Sequence, residues 1–219
     1  MYQAVIFDVD GTLLDSEKIY MGAWVKVGAE YGYTVPQRAL LETRAVSEPL
    51  AKQTFLKYCG EDFPYEEILQ ARKPLIEEMF DTTPPDILRM PGAMETLQTL
   101  KSRGYRIVAA SSTHYEKTCR HLRHAGLYDF FDAIICGDMV AHGKPAPDIF
   151  LKAAELANAD PAQCIVVGDT PADVLGATAA GIPVILIPDQ VPANEQTTAL
   201  SLRILPSLSQ LPEVFKEEL

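Results

Sequence analysis

The chain has 219 residues, of which 47% are hydrophobic and 22% are charged. This length and composition suit a globular enzyme with one sizeable core, or a core with a small accessory domain. The formal net charge of −11 argues against binding to nucleic acid or to an anionic membrane surface, because no block of lysine and arginine offsets it locally.

The cysteines and the amino terminus indicate a cytoplasmic protein. Cys59, Cys119, Cys136 and Cys164 form no Cys-x-x-Cys pair, which fits a reducing compartment. A strand-like run opens the sequence, with no basic region and signal-like apolar stretch before it, and no apolar run approaches the ~18 residues that a membrane span needs. We therefore expect a cytoplasmic protein with no membrane partner. We also expect it to be a monomer or weak dimer.

Short apolar runs rich in β-branched residues recur along the chain and predict one parallel sheet. Strands that are buried on both faces show such near-continuous runs instead of an alternating pattern. The predicted strands are Ala4–Phe7, Arg106–Ala110, Ala133–Cys136, Cys164–Val167 and Pro183–Ile187. Helical stretches separate them, so the sequence predicts a doubly wound, Rossmann-like α/β core.

The interval between the first two predicted strands is too long for a single crossover and has a helical pattern. Apolar residues recur at helical spacing in Tyr20–Tyr31, Arg38–Tyr58 and Tyr65–Phe80. We therefore predict an all-helical cap over residues 15–81, inserted into a core of residues 1–14 and 82–219. After the fifth strand, Pro188–Ala199 is predicted as a surface loop and Leu202–Leu205 as a short edge strand, before a terminal helix.

The carboxyl end of the first predicted strand carries two acids. Asp8 closes the strand and Asp10 follows it, in the run Asp8-Val9-Asp10-Gly11-Thr12. Two carboxylates so close repel each other, and a divalent cation such as Mg²⁺, which prefers oxygen ligands, relieves that repulsion. A capping aspartate followed by an Asp-Gly turn is the alternative explanation.

Two further strand ends offer groups that suit a phosphate. Ser111, followed by Ser112 and Thr113, comes directly after the second strand and could hold a phosphoryl oxygen or cap the next helix. Lys144 lies in Gly-Lys-Pro-Ala-Pro-Asp, where the prolines stiffen the backbone. It could neutralise a transferring phosphoryl group or be an exposed loop lysine.

The fourth strand end carries Asp169 and Asp173, which one helical turn separates, so both can face the same cation. A helix cap with Pro171 at the first position explains the same residues and is compatible with a metal site. Ligands of open α/β sheets bind outside the carboxyl ends of the strands. Acids, a hydroxyl and a lysine at four such ends together predict phosphoryl transfer with a metal.

The four clusters, in this order, resemble the motifs of the haloacid dehalogenase superfamily over nearly the whole chain. The helical insert resembles that of the subgroup containing beta-phosphoglucomutase, phosphoglycolate phosphatase and small sugar-phosphate phosphatases. The resemblance implies that Asp8 is the nucleophile that forms an aspartyl-phosphate, and that Asp10 is the general acid and base. It also implies that Ser111 and Lys144 hold the phosphoryl group.

The same resemblance implies a Mg²⁺ site and a set of substrate contacts. The predicted metal ligands are Asp8, Asp10 through its backbone carbonyl and Asp169 directly, with Asp173 as a ligand through water or as a support. The predicted substrate-binding residues are Gly11, Thr12 and Ser112 near the phosphoryl group, with Arg44 and Lys73 from the cap. Arg44 is the candidate for a distal anionic group, although a solvated arginine at a helix end is an equal alternative.

Asp10 argues against dehalogenation, because dehalogenases of this superfamily lack the second aspartate. Tyr20 and His114 stand where the mutase pattern has a histidine and a lysine, and both departures favour hydrolysis. We therefore expect a Mg²⁺-dependent phosphomonoesterase for a small phosphorylated metabolite, of the sugar-phosphate or phosphoglycolate type. The alternatives are a beta-phosphoglucomutase-like sugar phosphomutase and, from another class, a non-catalytic regulator that binds a phosphometabolite.

Overall fold

The structure, a computed structural model, describes residues 2–43 and 48–215. Within them, six parallel strands form one sheet in the order β3-β2-β1-β4-β5-β6. This is the strand order of the Rossmann fold, so the prediction of a doubly wound α/β core is confirmed. The strands are β1 Ala4–Phe7, β2 Arg106–Ser111, β3 Ala133–Cys136, β4 Cys164–Gly168, β5 Val184–Leu186 and β6 Arg203–Ile204.

Helices occupy most of the remaining chain. Those of the first half are α1 Ser16–Glu30, α2 Gln37–Glu42, α3 Glu48–Cys59, α4 Tyr65–Thr82, α5 Pro85–Leu88 and α6 Ala93–Ser102. Those of the second half are α7 Tyr115–His124, α8 Asp148–Leu156, α9 Pro171–Ala179, α10 Glu195–Leu200 and α11 Leu211–Val214. None of the helices in the described residues has the length and apolar character needed to cross a bilayer.

The chain divides into two compact units, one of residues Met1–Asp15 with Pro84–Leu219 and the other of Ser16–Thr83. We call them the sheet unit and the helical unit. The predicted cap, residues 15–81, has nearly the bounds of the helical unit, and its action as a lid stays a prediction.

The sheet unit is held together by apolar side chains on the strands and on the helices that cover them. Every residue of β1 is fully buried, because β1 lies between β2 and β4 and is covered on both faces. Ile149 and Phe150 of α8 and Val174 of α9 pack on the same cluster as the strands. Fully burying a side chain of this size contributes about 1.5–3 kcal/mol, so this cluster fixes the strand ends that carry the polar residues.

The helical unit has an aromatic core. Trp24 of α1 lies with its ring centroid 4.2 Å from that of Phe55 and 5.3 Å from that of Tyr65, and Phe63 stacks on Phe55 at 5.6 Å. Aromatic pairs at such distances add about 0.5–1.5 kcal/mol beyond the area that they bury. These contacts join α1, α3 and α4 into one body.

The prediction of a loop over Pro188–Ala199 is wrong in its second half, because α10 begins at Glu195. Asn194 caps this helix: its side chain accepts a hydrogen bond from the Thr197 amide, and the Thr197 hydroxyl accepts one from the Asn194 amide, both at 2.9 Å. This reciprocal pair is a capping box with asparagine and threonine. The predicted helix Arg38–Tyr58 is two helices, α2 and α3, and residues 44–47 between them lie outside the described residues.

Candidate active site

Three predicted metal ligands meet at the carboxyl edge of the sheet. Strands β1 and β4 are parallel neighbours with Phe7 opposite Val167, and the Asp8 amide donates to the Val167 carbonyl at 2.8 Å. Asp8 and Asp169 therefore follow the ends of adjacent strands, one residue apart in register. One carboxylate oxygen from each of Asp8, Asp169 and Asp173 lies within 4.8 Å of the other two, and all three residues are buried.

Lys144 reaches into this cluster from the loop before α8. Its Nζ donates to Asp8 Oδ1 at 2.5 Å and to the Ala110 carbonyl at 2.8 Å, and it lies 2.7 Å from Asp173 Oδ1. Only 4% of its side chain is exposed. Burial by itself would lower the pKa of Lys144, but the carboxylates of Asp173 and Asp8 outweigh burial and raise it. The lysine is therefore a fixed positive charge beside the predicted nucleophile, and not an exposed loop residue.

The charges of this cluster fit a bound cation. The cluster contains three carboxylates, and the Lys144 ammonium group pairs with two of them. Burial is the main reason that the pKa of Asp8 rises to about 7, against the lowering effect of Lys144. Asp8 Oδ2 is buried and has no hydrogen-bond partner among the described residues. A divalent cation with oxygen ligands would satisfy that oxygen and offset the excess negative charge.

The side chain of Asp10 lies among hydroxyl groups. Its Oδ2 accepts hydrogen bonds from Thr113 Oγ1 at 2.9 Å and from Ser111 Oγ at 3.3 Å. The Thr113 amide in turn donates to Ser111 Oγ at 3.0 Å. Ser111 thus contacts the predicted general acid. Thr113 is a site residue that the sequence-based prediction missed, although the run of three hydroxyl residues after β2 could have indicated it.

Gly11 and Thr12 surround Asp169. The Thr12 hydroxyl donates to Asp169 Oδ1 at 3.0 Å, and Thr12 is 1% exposed. This contact orients a predicted metal ligand, whereas the sequence predicts Thr12 as a substrate contact. Gly11 has a φ of +85°, and a Cβ atom there would lie 2.5 Å from Asp169 Oδ2. Both residues therefore shape the position of the Asp169 carboxylate.

Asp173 has two structural roles at once. Its Oδ2 accepts hydrogen bonds from the amide and the hydroxyl of Thr170, at 3.1 and 2.6 Å, in the capping box that begins α9. Its Oδ1 forms the ion pair with Lys144. The helix-cap explanation of this motif is therefore correct, and the same carboxylate also belongs to the acidic cluster.

The remaining residues that the sequence analysis singled out are Lys73, Arg44, Tyr20 and Ser112. Lys73 is exposed on α4, and its Nζ donates to Gln70 Oε1 at 2.6 Å within the helical unit. Arg44 lies outside the described residues. Tyr20 packs edge-on against Phe80, with ring centroids 5.8 Å apart. In the sheet unit, Ser112 is exposed and lines a cavity that also reaches Lys144.

Comparison with known proteins defines the class to which this site belongs. The sequence model of the haloacid dehalogenase-like hydrolase family matches residues 2–181. The chain therefore belongs to the haloacid dehalogenase-like hydrolase family, and the predicted family and its hydrolase character are confirmed.

Individual relatives cover most of the chain. It is 32% identical over 181 residues to the phosphorylated carbohydrates phosphatase of Thermotoga maritima, covering 82% of each chain. It is 29% identical over 184 residues to the fructose-1-phosphate phosphatase YqaB of Escherichia coli K12, covering 83% of this chain and 94% of the relative. Among solved structures, a putative beta-phosphoglucomutase from Thermotoga maritima is similar over 100% of both chains, with a TM-score of 0.82 and 26% identity.

Proposed function

We propose that the protein is a Mg²⁺-dependent phosphomonoesterase that hydrolyses a small phosphorylated metabolite through an aspartyl-phosphate on Asp8. The observation that carries the proposal is the contact of Lys144 with Asp8 and Asp173 inside a buried cluster of three carboxylates. A lysine held this way can stabilise negative charge on a transferring phosphoryl group. The names of the relatives, which include phosphatases of phosphorylated carbohydrates, support the substrate class.

The side chains supply the two steps of the reaction. Asp8 attacks phosphorus while Asp10 gives a proton to the leaving oxygen, so that the phosphorus–oxygen ester bond breaks and a phosphorus–oxygen bond to Asp8 forms. Asp10, now a carboxylate, takes a proton from water, whose oxygen attacks the phosphorus of the aspartyl-phosphate. The phosphorus–oxygen bond to Asp8 breaks, inorganic phosphate leaves, and the carboxylate of Asp8 and the protonated form of Asp10 are regenerated. The hydroxyls of Ser111 and Thr113 hold Asp10 near the strand end from which Asp8 projects.

The proposed metal ligands are the carboxylates of Asp8 and Asp169 together with the backbone carbonyl of Asp10. Asp173 acts through water or as a support, because its two oxygens already pair with Thr170 and Lys144. A bound Mg²⁺ would supply positive charge to the phosphoryl oxygens and would lower the pKa of Asp8, which keeps the nucleophile ionised. Thr12 fixes Asp169 through its hydroxyl. Lys144 keeps its positive charge because two carboxylates raise its pKa.

Phosphate release from a panel of phosphomonoesters tests the proposal. We expect turnover that requires Mg²⁺ and that Asp8→Asn abolishes. Asp129→Asn, the same substitution at an exposed acid of the sheet unit, is the matched control and should keep full activity. Rapid acid quench with labelled substrate should leave the label on Asp8. Equal phosphate release by Asp8→Asn and the wild type would refute the assignment.

The similarity to a putative beta-phosphoglucomutase favours a sugar phosphomutase as the second candidate. A mutase would convert beta-glucose 1-phosphate into glucose 6-phosphate, with a dependence on a bisphosphate primer. A hydrolase would release only free glucose and phosphate. Following both products by NMR in one reaction separates the two activities, and any turnover of an aryl phosphate would exclude a non-catalytic regulator.

The helical unit is proposed to act as the substrate-selecting cap through Arg44 and Lys73. If so, Arg44→Gln and Lys73→Gln should raise KM for the best substrate with little change in kcat for a small aryl phosphate. Unchanged KM in both variants would remove these residues from the substrate site.

A further inference from the structure

A cavity of about 380 Å³ lies beside Lys144 within the sheet unit. Residues that follow β2 and β3 form part of its wall, through Ser112, His114 and Asp138. Lys144 also lines the cavity, and its Nζ contacts Asp8. The non-reacting part of a substrate whose phosphoryl group is held at Asp8 therefore has this cavity next to it.

Asp138 lines the cavity, and a hydrogen bond holds its carboxylate in place. Its Oδ1 accepts a hydrogen bond of 3.0 Å from the amide of Tyr115, at the start of α7. Its Oδ2 lies 3.5 Å from Nδ1 of His114. Since 34% of the Asp138 side chain is exposed, the carboxylate is oriented by the protein and still accessible to a ligand.

The fixed charges of this wall favour a neutral, hydroxylated group over an anionic one. The charge of Lys144 is committed to Asp8 and Asp173, at the reacting end of the substrate. Asp138 accepts hydrogen bonds from hydroxyl groups but repels a second carboxylate or phosphate. Ser112 and His114 add a hydroxyl and an imidazole that can pair with further hydroxyl groups.

We propose that this cavity recognises the leaving group and that Asp138 is a specificity-determining residue that selects monophosphates of neutral polyols and sugars. Phosphorylated acids of the phosphoglycolate type and bisphosphates are the substrates that it disfavours. The inference rests on the proposed phosphomonoesterase function and chooses between the two substrate types that this function leaves open.

Two substrates that differ in one group test the inference. Glycerol 3-phosphate ends in a hydroxymethyl group where 3-phosphoglycerate has a carboxylate. We expect the wild type to have a kcat/KM at least about tenfold higher for glycerol 3-phosphate, the effect of one unfavourable charge pair at a partly exposed site. Asp138→Asn keeps an oxygen for the Tyr115 amide and removes the charge. The ratio of kcat/KM for glycerol 3-phosphate to kcat/KM for 3-phosphoglycerate should therefore fall about tenfold.

Two controls separate the possible explanations. Asp129→Asn, at an exposed acid that does not line the cavity, should leave the ratio unchanged. Binding of both ligands to Asp8→Asn, measured by calorimetry, gives the same preference without turnover. If nothing, including an aryl phosphate, is hydrolysed, the proposed function fails, and the binding ratio still decides the role of Asp138. A preference for 3-phosphoglycerate, or a ratio that Asp138→Asn does not change, would overturn the inference.

Discussion

Replacement of Gly11 by alanine should damage the catalytic site far more than it damages the fold. The φ of +85° at Gly11 costs a residue with a side chain about 1–2 kcal/mol. The free energy of unfolding of a domain is about 5–15 kcal/mol, so the variant should fold, with a midpoint about 2–8 °C lower at ~2–4 °C per kcal/mol. The new Cβ would lie 2.5 Å from Asp169 Oδ2, ~0.9 Å inside the 3.4 Å of an ordinary contact.

The Asp169 carboxylate must therefore move by roughly 1 Å, a displacement that can cost about 100-fold in rate at a catalytic site. Gly104 provides a matched control, because its φ is +80° and a Cβ there meets no atom within 4 Å. Gly104→Ala should lose similar stability and keep its activity.

The assay pairs thermal unfolding of both variants with kcat/KM at several Mg²⁺ concentrations. We expect Gly11→Ala alone to need more Mg²⁺ and to lose about 100-fold in kcat/KM. Equal activity of the two alanine variants would refute the reasoning, because it would show that the position of the Asp169 carboxylate does not limit the reaction.

Three further predictions concern pH and the loop before α8. Burial raises the pKa of Asp132, but hydrogen bonds from a backbone amide and two cations outweigh burial and lower it. The stability that ionised Asp132 adds to the fold should therefore be complete above the usual carboxyl pKa range and fade as pH falls through the lowered pKa. In urea unfolding, Asp132→Asn should lower the free energy of unfolding by about 1–2 kcal/mol at pH 7 but little in acid. The pKa of Asp8 is raised to about 7, so ionising Asp8 destabilises the folded, metal-free protein. Without metal, the wild type should therefore lose stability relative to Asp8→Asn as pH rises from about 4 to 8. Added Mg²⁺ should remove that loss in thermal unfolding, and the absence of a pH-dependent difference between the two proteins would contradict the assignment. The loop that presents Lys144 is flanked by His142 and Asp148, whose Nδ1 and Oδ1 atoms lie 3.0 Å apart. Loss of this contact in His142→Ala should lower kcat about two- to fivefold, and His142→Asn should restore it. Equal kcat in both variants would show that the pair does not support the loop.

The strands and the main site residues were predictable because the burial of the strands determines both the apolar runs and the places where polar residues can follow them. A strand buried on both faces excludes polar residues until it ends, so the first acid after an apolar run marks the sheet edge. Asp8 and Asp169 were found in this way, and their strands are neighbours in the sheet. The prediction that Lys144 lies at a strand end is wrong, because β3 ends at Cys136 and Lys144 lies in the loop before α8. Its position between a glycine and prolines is the signal that makes it a candidate.

The contacts between distant residues could not be predicted from local patterns. The hydrogen bond from Thr12 to Asp169 spans 157 positions and that from Thr113 to Asp10 spans 103, so both depend on how the strands are ordered in the sheet. The capping box of α10 was local but was missed, because a polar, proline-containing stretch dominated the pattern around Asn194.

The double role of Asp173 constrains how this protein can change over evolutionary time. Its Oδ2 begins α9 and its Oδ1 holds Lys144, so a mutation that removes the carboxylate affects a helix and the catalytic cluster together. Loss of the helix cap alone lowers the free energy of unfolding by about 1 kcal/mol. Selection for stability would therefore keep the cap even in a lineage that no longer needs catalysis. Asparagine keeps one oxygen for the cap and gives up the charge, so it is the substitution through which a descendant could lose the chemistry and keep the fold.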